Sequence, residues 1–282
     1  MNITTLLDKV YFAPRLKKID FYANRAGELQ HRVLDRLVRM AENTEWGKKY
    51  DYKSIHTYED FRNRLPIQTY EEVKPYVERL RAGEQNLLWP SEIRWFAKSS
   101  GTTNDKSKFL PVSKEALNDT HYQGGKDAVA LYLGQNPDSR FFSGQGLILG
   151  GSHSPNLNSR HGLVGDLSAI LIQNIHPLVN CVRVPSKKIA LMSDFEKKIE
   201  AIANSAVSKD VTSLSGVPSW MLVLIKRILE KTGKQSLEEI WPNLEVFFHG
   251  GVAFTPYREQ YKEVIRSPKM HYVETYNASE GY

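Results

Sequence analysis

The sequence predicts an α/β fold, with a largely parallel sheet flanked by helices and a helical section before it. Two observations predict this class. Up to about residue 90, apolar residues recur at the three- and four-residue spacing of amphipathic helices. From Glu92 onward, short apolar runs alternate with helical patterns, and this alternation is typical of parallel sheets.

The first section begins with a helix predicted over residues 28–41, where apolar side chains fall on one face: Leu29, Val33, Leu37 and Met40. Two shorter helices follow, split by Leu65-Pro66. Thr57 and Thr69 are suitable N-caps, and Gly83 is a suitable helix end. The predicted organisation is one domain over residues 1–282, with a helical lead-in at 1–90 and an α/β core at 91–282.

The core is predicted to contain six strands: EIRWFA, QGLILGG, CVRVP, VTSLSG, LEVFFHGG and MHYVETY. A helix is predicted to begin near Ser113, directly after the loop that follows the first strand. Three further helices are predicted at DFEKKIEAIANSAV, PSWMLVLIKRILEKTG and TPYREQYKEVIR. The order of strands and helices therefore favours one mostly parallel sheet.

The cysteine content, the apolar runs and the net charge of the sequence exclude several classes of protein. The single cysteine, Cys181, excludes an intrachain disulfide and suits a reducing cytoplasm. No apolar run has the length of a bilayer span and the N-terminus lacks a secretory pattern, so neither membrane nor secretion is expected. The net charge of +6 suits an anionic ligand, but the basic residues are scattered, so nucleic acid is not expected.

Ligands of parallel sheets collect in the loops at the carboxyl ends of the strands. Three such loops have unusual residues and are expected to meet at one end of the sheet: KSSGTTNDKSK, FFHGGVAFTP and YNASEGY. The first lacks the Gly-Lys-Ser/Thr ending of a Walker loop. Its glycine, hydroxyls and lysines nevertheless suit phosphate oxygens, although the same residues suit a polar turn.

The other two loops also have two interpretations each. Gly250 and Gly251 would admit a flat ring or a ribose close to the backbone, or simply form a tight turn. His249 is interpreted as a packed histidine without a role. Glu280, just past a buried strand, would hold Mg²⁺ on a nucleotide phosphate, or be an ordinary surface glutamate.

Taken in order, the segments SSGTTNDKSKFLPVS, SGVPSWM, FFHGGVAFTPY and YNASEGY resemble the Gretchen-Hagen family, the auxin-responsive acyl-acid amido synthetases. That family belongs to the ANL adenylate-forming superfamily. The resemblance extends over nearly the whole chain, beginning with FRNRLPIQTYEEVKPYVERL. It implies that ATP and Mg²⁺ are used to adenylate a carboxylic acid, whose acyl group then passes to an amino acid or another amine.

The resemblance also implies site residues. Lys108 and Glu280 would be catalytic, and Glu280 would hold the metal. The ATP site would comprise Ser99, Ser100, Gly101, Thr102, Thr103, Lys108, Gly250, Gly251, Tyr276, Ala278, Ser279 and Glu280. The acyl pocket would comprise Leu117, His121, Val217, Pro218 and Trp220.

Two departures from the family pattern affect these expectations. Asn104-Asp105 stands where glycine is usual, and Asp105 adds a negative charge near the expected triphosphate. The chain ends at Tyr282, whereas family members continue into a mobile C-terminal domain, so a truncated and inactive fragment is expected. Two alternatives stay open: an acyl-CoA ligase of the same superfamily, and a non-catalytic module that binds a nucleotide or carboxylate.

Overall fold

The structure is a computed structural model that describes residues 3–99 and 107–280. It confirms the α/β class, with a parallel sheet flanked by helices. The chain forms two compact units. The first comprises Met1–Leu16, His121–His153 and Asp166–Tyr282, and the second comprises Lys17–Thr120 and Ser154–Gly165. The single-domain organisation, with its boundary at residue 90, stays a prediction.

The α-helices of the described residues are α1 (Ile3–Leu7), α2 (Ala13–Asn24), α3 (Ala26–Ala41), α4 (Glu45–Lys49), α5 (Tyr58–Arg64), α6 (Tyr70–Ala82), α7 (Gln123–Gln135), α8 (Leu167–Asn174), α9 (Pro177–Cys181), α10 (Lys187–Ala190), α11 (Phe195–Ala206), α12 (Pro218–Thr232) and α13 (Arg258–Val264). Two π-helical turns span Asp8–Phe12 and Ala116–Tyr122. Short 3₁₀ turns span Tyr52–Ser54, Phe141–Ser143, Pro155–Leu157, Leu237–Glu239 and Thr255–Tyr257. No described helix is both long and apolar enough to span a bilayer.

The first unit contains a five-stranded, all-parallel sheet in the order β5-β3-β6-β7-β8. Its strands are β3 (Gln145–Leu149), β5 (Arg183–Val184), β6 (Val211–Gly216), β7 (Val246–His249) and β8 (His271–Glu274). The central strand β6 is buried along its first four residues, as expected for a parallel strand covered on both faces. Helices α11, α12 and α13 pack on one face, around Leu147, Leu214 and Phe247.

The second unit contains a three-stranded sheet in the order β2-β1-β4, with strands β1 (Trp95–Ser99), β2 (Lys108–Val112) and β4 (Leu163–Gly165). Its helices begin as the sequence predicts, since Thr57 and Thr69 form capping boxes with Asp60 and Glu72. Gly83 ends α6 with a left-handed φ of 110°. The core beneath the sheet contains Val77, Leu80, Phe96 and Val164.

One part of the sequence prediction is wrong. KFLPV was expected to belong to a loop leading into a helix, but it forms β2, which pairs antiparallel with β1. Pro111 argues against predicting a strand here, because proline within sheets is confined to edge strands or bulges. β2 is an edge strand of its sheet, so the missing N–H of Pro111 is tolerated there.

Candidate functional site

The carboxyl ends of four parallel strands align at one edge of the five-stranded sheet. The register pairs Leu149 of β3 with Gly216 of β6, Gly216 with His249 of β7, and His249 with Glu274 of β8. The turns that follow these four residues are therefore neighbours. This edge is where ligands of parallel sheets bind, and it carries two of the three predicted loops.

The turn after β7 touches the loops on both of its sides. A Cβ atom on Gly250 would lie 2.2 Å from the backbone oxygen of Thr275, which follows β8. Gly251 has a φ of 83°, and a Cβ atom there would lie 3.2 Å from Val217, which follows β6. Both glycines are thus required by close packing and backbone conformation. The predicted nucleotide and acyl segments meet at this point.

The loop after β8 is held at its start and exposed at its tip. The backbone N–H and the hydroxyl of Thr275 donate to the carbonyl of His249, at 2.7 and 3.1 Å. The side chain of Asn277 lies 3.0 Å from Nδ1 of the buried His121. Tyr276 is 79% exposed and Glu280 is exposed, whereas Ala278 and Ser279 are half-buried.

The start of α12 is fixed by a buried tyrosine. The hydroxyl of Tyr261 donates to the carbonyl of Pro218 at 2.8 Å. Burial raises the pKa of Tyr261 far above its usual value, so the hydroxyl stays a donor. Trp220, also predicted for the acyl pocket, is 40% exposed, and its ring centroid lies 6.0 Å from that of Phe195 on α11.

His249 is buried among aromatic rings, as the sequence interpretation proposes. Its ring stacks on Phe254 with centroids 4.3 Å apart, and Nδ1 has no hydrogen-bond partner within the described residues. Burial lowers the pKa of His249, Arg258 lowers it further, and Glu274 opposes the shift. The imidazole is therefore neutral near pH 7.

The first predicted loop belongs to the other sheet. It connects β1 to the antiparallel β2, so the expectation that it follows a strand of the same sheet as the other two loops is wrong. Ser99 and Lys108 are opposite each other in the register, and Nζ of Lys108 lies 5.7 Å from the ring centroid of Tyr70. Ser100, Gly101, Thr102 and Thr103 lie outside the described residues, as do Asn104 and Asp105.

The remaining acyl prediction, Leu117, is buried in the second unit, on the π-helical turn Ala116–Tyr122. Its role in a pocket stays a prediction. The same is true of the expectation that the first loop and Glu280 act on one triphosphate.

A fourth turn at the edge was missed by the sequence reasoning. Gly150, Gly151 and Ser152 follow β3, and their backbone is held by the buried side chain of Lys198 on α11. In the sequence, Lys198 looks like half of a solvated Lys-Lys pair. A signal was present, because Lys198 has helical spacing to the apolar Ile202.

The donor set at the edge suits magnesium on a nucleotide. Within residues 3–99 and 107–280, no cluster of three or more His, Cys, Asp or Glu side chains has the arrangement of a metal site. Mg²⁺ typically uses one or two protein carboxylates and takes its other ligands from phosphates and water. The exposed carboxylate of Glu280, in the loop after β8, fits that requirement.

Comparison with known protein families shows which family this chain belongs to. The family model described as "GH3 family N-terminal domain" matches residues 15–270. The chain belongs to the GH3 family. This confirms the resemblance inferred from the four sequence segments, since GH3 is the Gretchen-Hagen family.

Two curated GH3 relatives illustrate the similarity. Indole-3-acetic acid-amido synthetase GH3.2 of Arabidopsis thaliana is 30% identical over 103 residues, which are 36% of this chain and 19% of the relative. Jasmonoyl–L-amino acid synthetase JAR4 of Nicotiana attenuata is 26% identical over 106 residues, which are 37% of this chain and 18% of the relative.

Solved GH3 structures share the fold. The GH3.15 acyl acid amido synthetase superposes with a TM-score of 0.74 at 17% sequence identity, over 95% of this chain and 55% of that chain. A complex of AtGH3.15 with 2,4-DB gives a TM-score of 0.76, over 94% of this chain and 55% of that chain. The chain thus spans about half the length of these GH3 structures.

Proposed function

We propose that this GH3 chain provides the nucleotide- and acid-binding edge of an acyl-acid amido synthetase. The proposed reaction starts when a carboxylate attacks the α-phosphate of ATP, which gives an acyl-adenylate and releases pyrophosphate. An amine, such as that of an amino acid, then attacks the acyl carbon and AMP leaves. Names of the curated relatives, which describe acid–amino acid synthetases, support this reaction.

One observation carries the proposal. Segments that the sequence separately suggests for nucleotide, acid and metal lie on adjacent turns of one sheet edge, and Gly250 and Gly251 contact the loops on either side. The hydrogen bond between His121 and Asn277 adds a predicted acyl residue to the same group. Such convergence is expected of a site that must align two substrates.

The residues have distinct proposed roles. The Gly250-Gly251 turn offers bare backbone to one face of adenine, and the exposed ring of Tyr276 offers a stacking surface to the other face. Val217 and Pro218 provide an apolar wall for the acid. The family resemblance, and not this edge, assigns neutralisation of the phosphates to Lys108 and the hydroxyls of the first loop.

Glu280 would hold Mg²⁺, which when bound neutralises the charge on the phosphate oxygens. The acid is its own nucleophile, so the protein's part is to align the carboxylate with the phosphate and to keep water out. A neutral His249 is consistent with a site that keeps water out, because the apolar side of the β7 turn then carries no positive charge.

Equilibrium binding and isotope exchange test the proposal. ATP with Mg²⁺ should bind the 282-residue chain, and Glu280→Gln should weaken that binding about 10-fold or more because a metal ligand is lost. The matched control is Glu259→Gln, which alters an exposed carboxylate on α13. A wild-type chain that binds no ATP would contradict the proposal.

The reaction itself is tested by acid-dependent exchange of labelled pyrophosphate into ATP, with this chain as the enzyme. Aromatic and aliphatic acids are supplied in turn, with amino acids or coenzyme A as acceptors. An amide product supports the proposed synthetase. A thioester product would replace it with an acyl-CoA ligase, and ATP binding without any exchange would indicate a binding module.

A further inference from the structure

A buried lysine organises the turn after β3. Lys198 is 1% exposed, and its Nζ donates to the carbonyls of Gly150 and Gly151, at 3.3 and 2.9 Å, and to the hydroxyl of Ser152, at 2.7 Å. Among the described residues it makes no ion pair. A lysine removed from water in this way costs stability unless its hydrogen bonds are made.

The three acceptors around Nζ match the three N–H groups of an ammonium, whereas burial lowers the pKa of Lys198 and the charge of Asp166 opposes that shift. A neutral amine has two N–H groups, whereas three acceptors surround Nζ. The hydroxyl of Ser152 donates to the carbonyl of Met192 at 2.7 Å, so its proton does not point at the lysine. Lys198 and Ser152 therefore do not form a serine–lysine nucleophile pair.

The backbone N–H groups of the turn are also hydrogen-bonded to side chains. The N–H of Gly151 donates to the hydroxyl of Ser168 at 2.8 Å, and the N–H of Ser152 donates to Asp166 at 2.7 Å. A Cβ atom on Gly151 would lie 2.2 Å from Oδ2 of Asp166. The turn is thus packed between a cation and an anion, and its backbone has little freedom.

The position of the turn indicates which predicted segment it neighbours. Gly216 approaches the carbonyl of Leu149 so closely that a Cβ atom would lie 2.7 Å from it, which makes the β3 turn the neighbour of Val217 and Pro218. Strand β6 separates the turn from β7 and β8, whose loops carry the predicted nucleotide residues. The β3 turn therefore lies next to Val217 and Pro218, two of the predicted acyl residues, whereas a third, His121, contacts the loop after β8.

We propose that Lys198 is a positioning residue for the carboxylic acid, since its ammonium fixes the Gly150–Ser152 turn that forms one wall of the acid subsite. This inference rests on the proposed function. It assigns Lys198 no contact with substrate, and it concerns acid binding rather than nucleotide binding. Displacing a wall of a site by about 1 Å is enough to lower the rate substantially.

Two variants test it. Lys198→Met keeps an unbranched side chain that is one heavy atom shorter and removes the three hydrogen bonds, and Lys197→Met changes the adjacent lysine, whose side chain is 77% exposed. Hydrogen exchange followed by mass spectrometry should show residues 147–156 exchanging about 10-fold faster in Lys198→Met, because the turn opens locally. The exchange in Lys197→Met should match the wild type. Unchanged exchange in Lys198→Met would overturn the inference.

Calorimetric titration then separates the two substrates. The probes are indole-3-acetate, benzoate and octanoate, and separately ATP with Mg²⁺. For each acid that the wild type binds, Lys198→Met should weaken binding about 10-fold while ATP affinity changes by less than about 2-fold. Equal weakening of acid and ATP would overturn the inference, because it would indicate a general loss of structure.

Failure of the proposed function would be seen in the wild-type chain, whereas failure of this inference would be seen in the Lys198→Met variant. A wild-type chain that binds none of the acids contradicts both the proposed function and the acid subsite, whereas failure confined to Lys198→Met contradicts only this inference. Ser152→Ala deletes one acceptor and keeps the ammonium. It should show the same exchange and acid effects at smaller size, and it replaces Lys198→Met if that variant does not fold.

Discussion

The turn after β3 and the loop after β8 lie at the same edge of one sheet and are stabilised in opposite ways. The N–H groups of Gly151 and Ser152 and the carbonyls of Gly150 and Gly151 are all bonded to side chains. The loop after β8 is fixed at Thr275 and Asn277, while Tyr276 and Glu280 are exposed.

Under the proposed function, this difference separates two tasks of one edge. A wall that selects an acid by shape gains from a fixed backbone, because pre-organisation lowers the entropy lost on binding. Exposed groups such as Glu280 suit a charged ligand and its metal, which arrive with their water. Between the two lies the β7 turn, whose glycines touch both neighbouring loops.

The strongest test of this arrangement is Gly250→Ala. The added methyl group would press on a backbone oxygen of Thr275 that cannot rotate away, so the free energy of unfolding should fall by about 3 kcal/mol. Urea unfolding measures it. Gly124→Ala, on α7 with open space around it, is the control and should be neutral or stabilising. Equal effects of the two variants would contradict the tight contact.

Tyr261→Phe tests the fixed side of the edge. It leaves the buried carbonyl of Pro218 without its donor, and the free energy of unfolding should fall by about 1–2 kcal/mol. Chemical denaturation is again the measurement, and the exposed Tyr58→Phe is the comparison. An unchanged midpoint would show that another donor replaces the hydroxyl.

His249 gives the centre of the edge a pH signature. Its pKa is below the unfolded value of 6.5, so the unfolded chain binds more protons below that pH, and stability is lost as pH falls through this window. His249→Phe should reduce that slope by up to about 1.4 kcal/mol per pH unit. Unfolding curves at pH 7.5, 6.5 and 5.5 provide the check.

His153 also has a pKa lowered by burial, so part of the slope should remain in His249→Phe. A slope identical to that of the wild type would mean that His249 is protonated equally in both states.

The smallest expected effect on stability comes from the exposed side. Tyr276→Ala should change the free energy of unfolding by less than about 0.5 kcal/mol, because the side chain is mostly in water. The same substitution should weaken ATP binding about 10-fold, since a stacking surface is lost. A large stability loss with unchanged ATP affinity would reverse the assignment of this loop to the ligand.

The sequence predicts most of the five-stranded sheet because its strands are apolar and its glycines fall where strands end. The strand VTSLSG and the helix after it agree with β6 and α12. Chemistry that depends on residues distant in the chain was not predictable. The helical spacing of Lys198 to Ile202 hints at its burial, but its partners are known only when the fold brings α11 to the Gly150-Gly151 turn.

The first predicted loop shows a different limit. Its residue types suggested a phosphate loop. The same residue types would suit phosphate on a loop of either sheet, so they do not predict which sheet the loop follows. The pairing of β1 with β2 is decided by cross-strand contacts such as Phe96 opposite Pro111, which the local pattern does not encode. The strand LVG was missed because three residues are too few for a periodic signal.

The strand order β5-β3-β6-β7-β8 also bears on how the chain reaches this fold. Gly146 pairs with Ser213, and between them the chain leaves the first unit and returns. Closing so long a loop costs entropy before any contact between the strands repays it. Such parallel pairings are intrinsically slow to form. Refolding should therefore be slow compared with a helical bundle of this size. Until β6 pairs with β3, the apolar edge of β3 is unpaired and can associate with other chains.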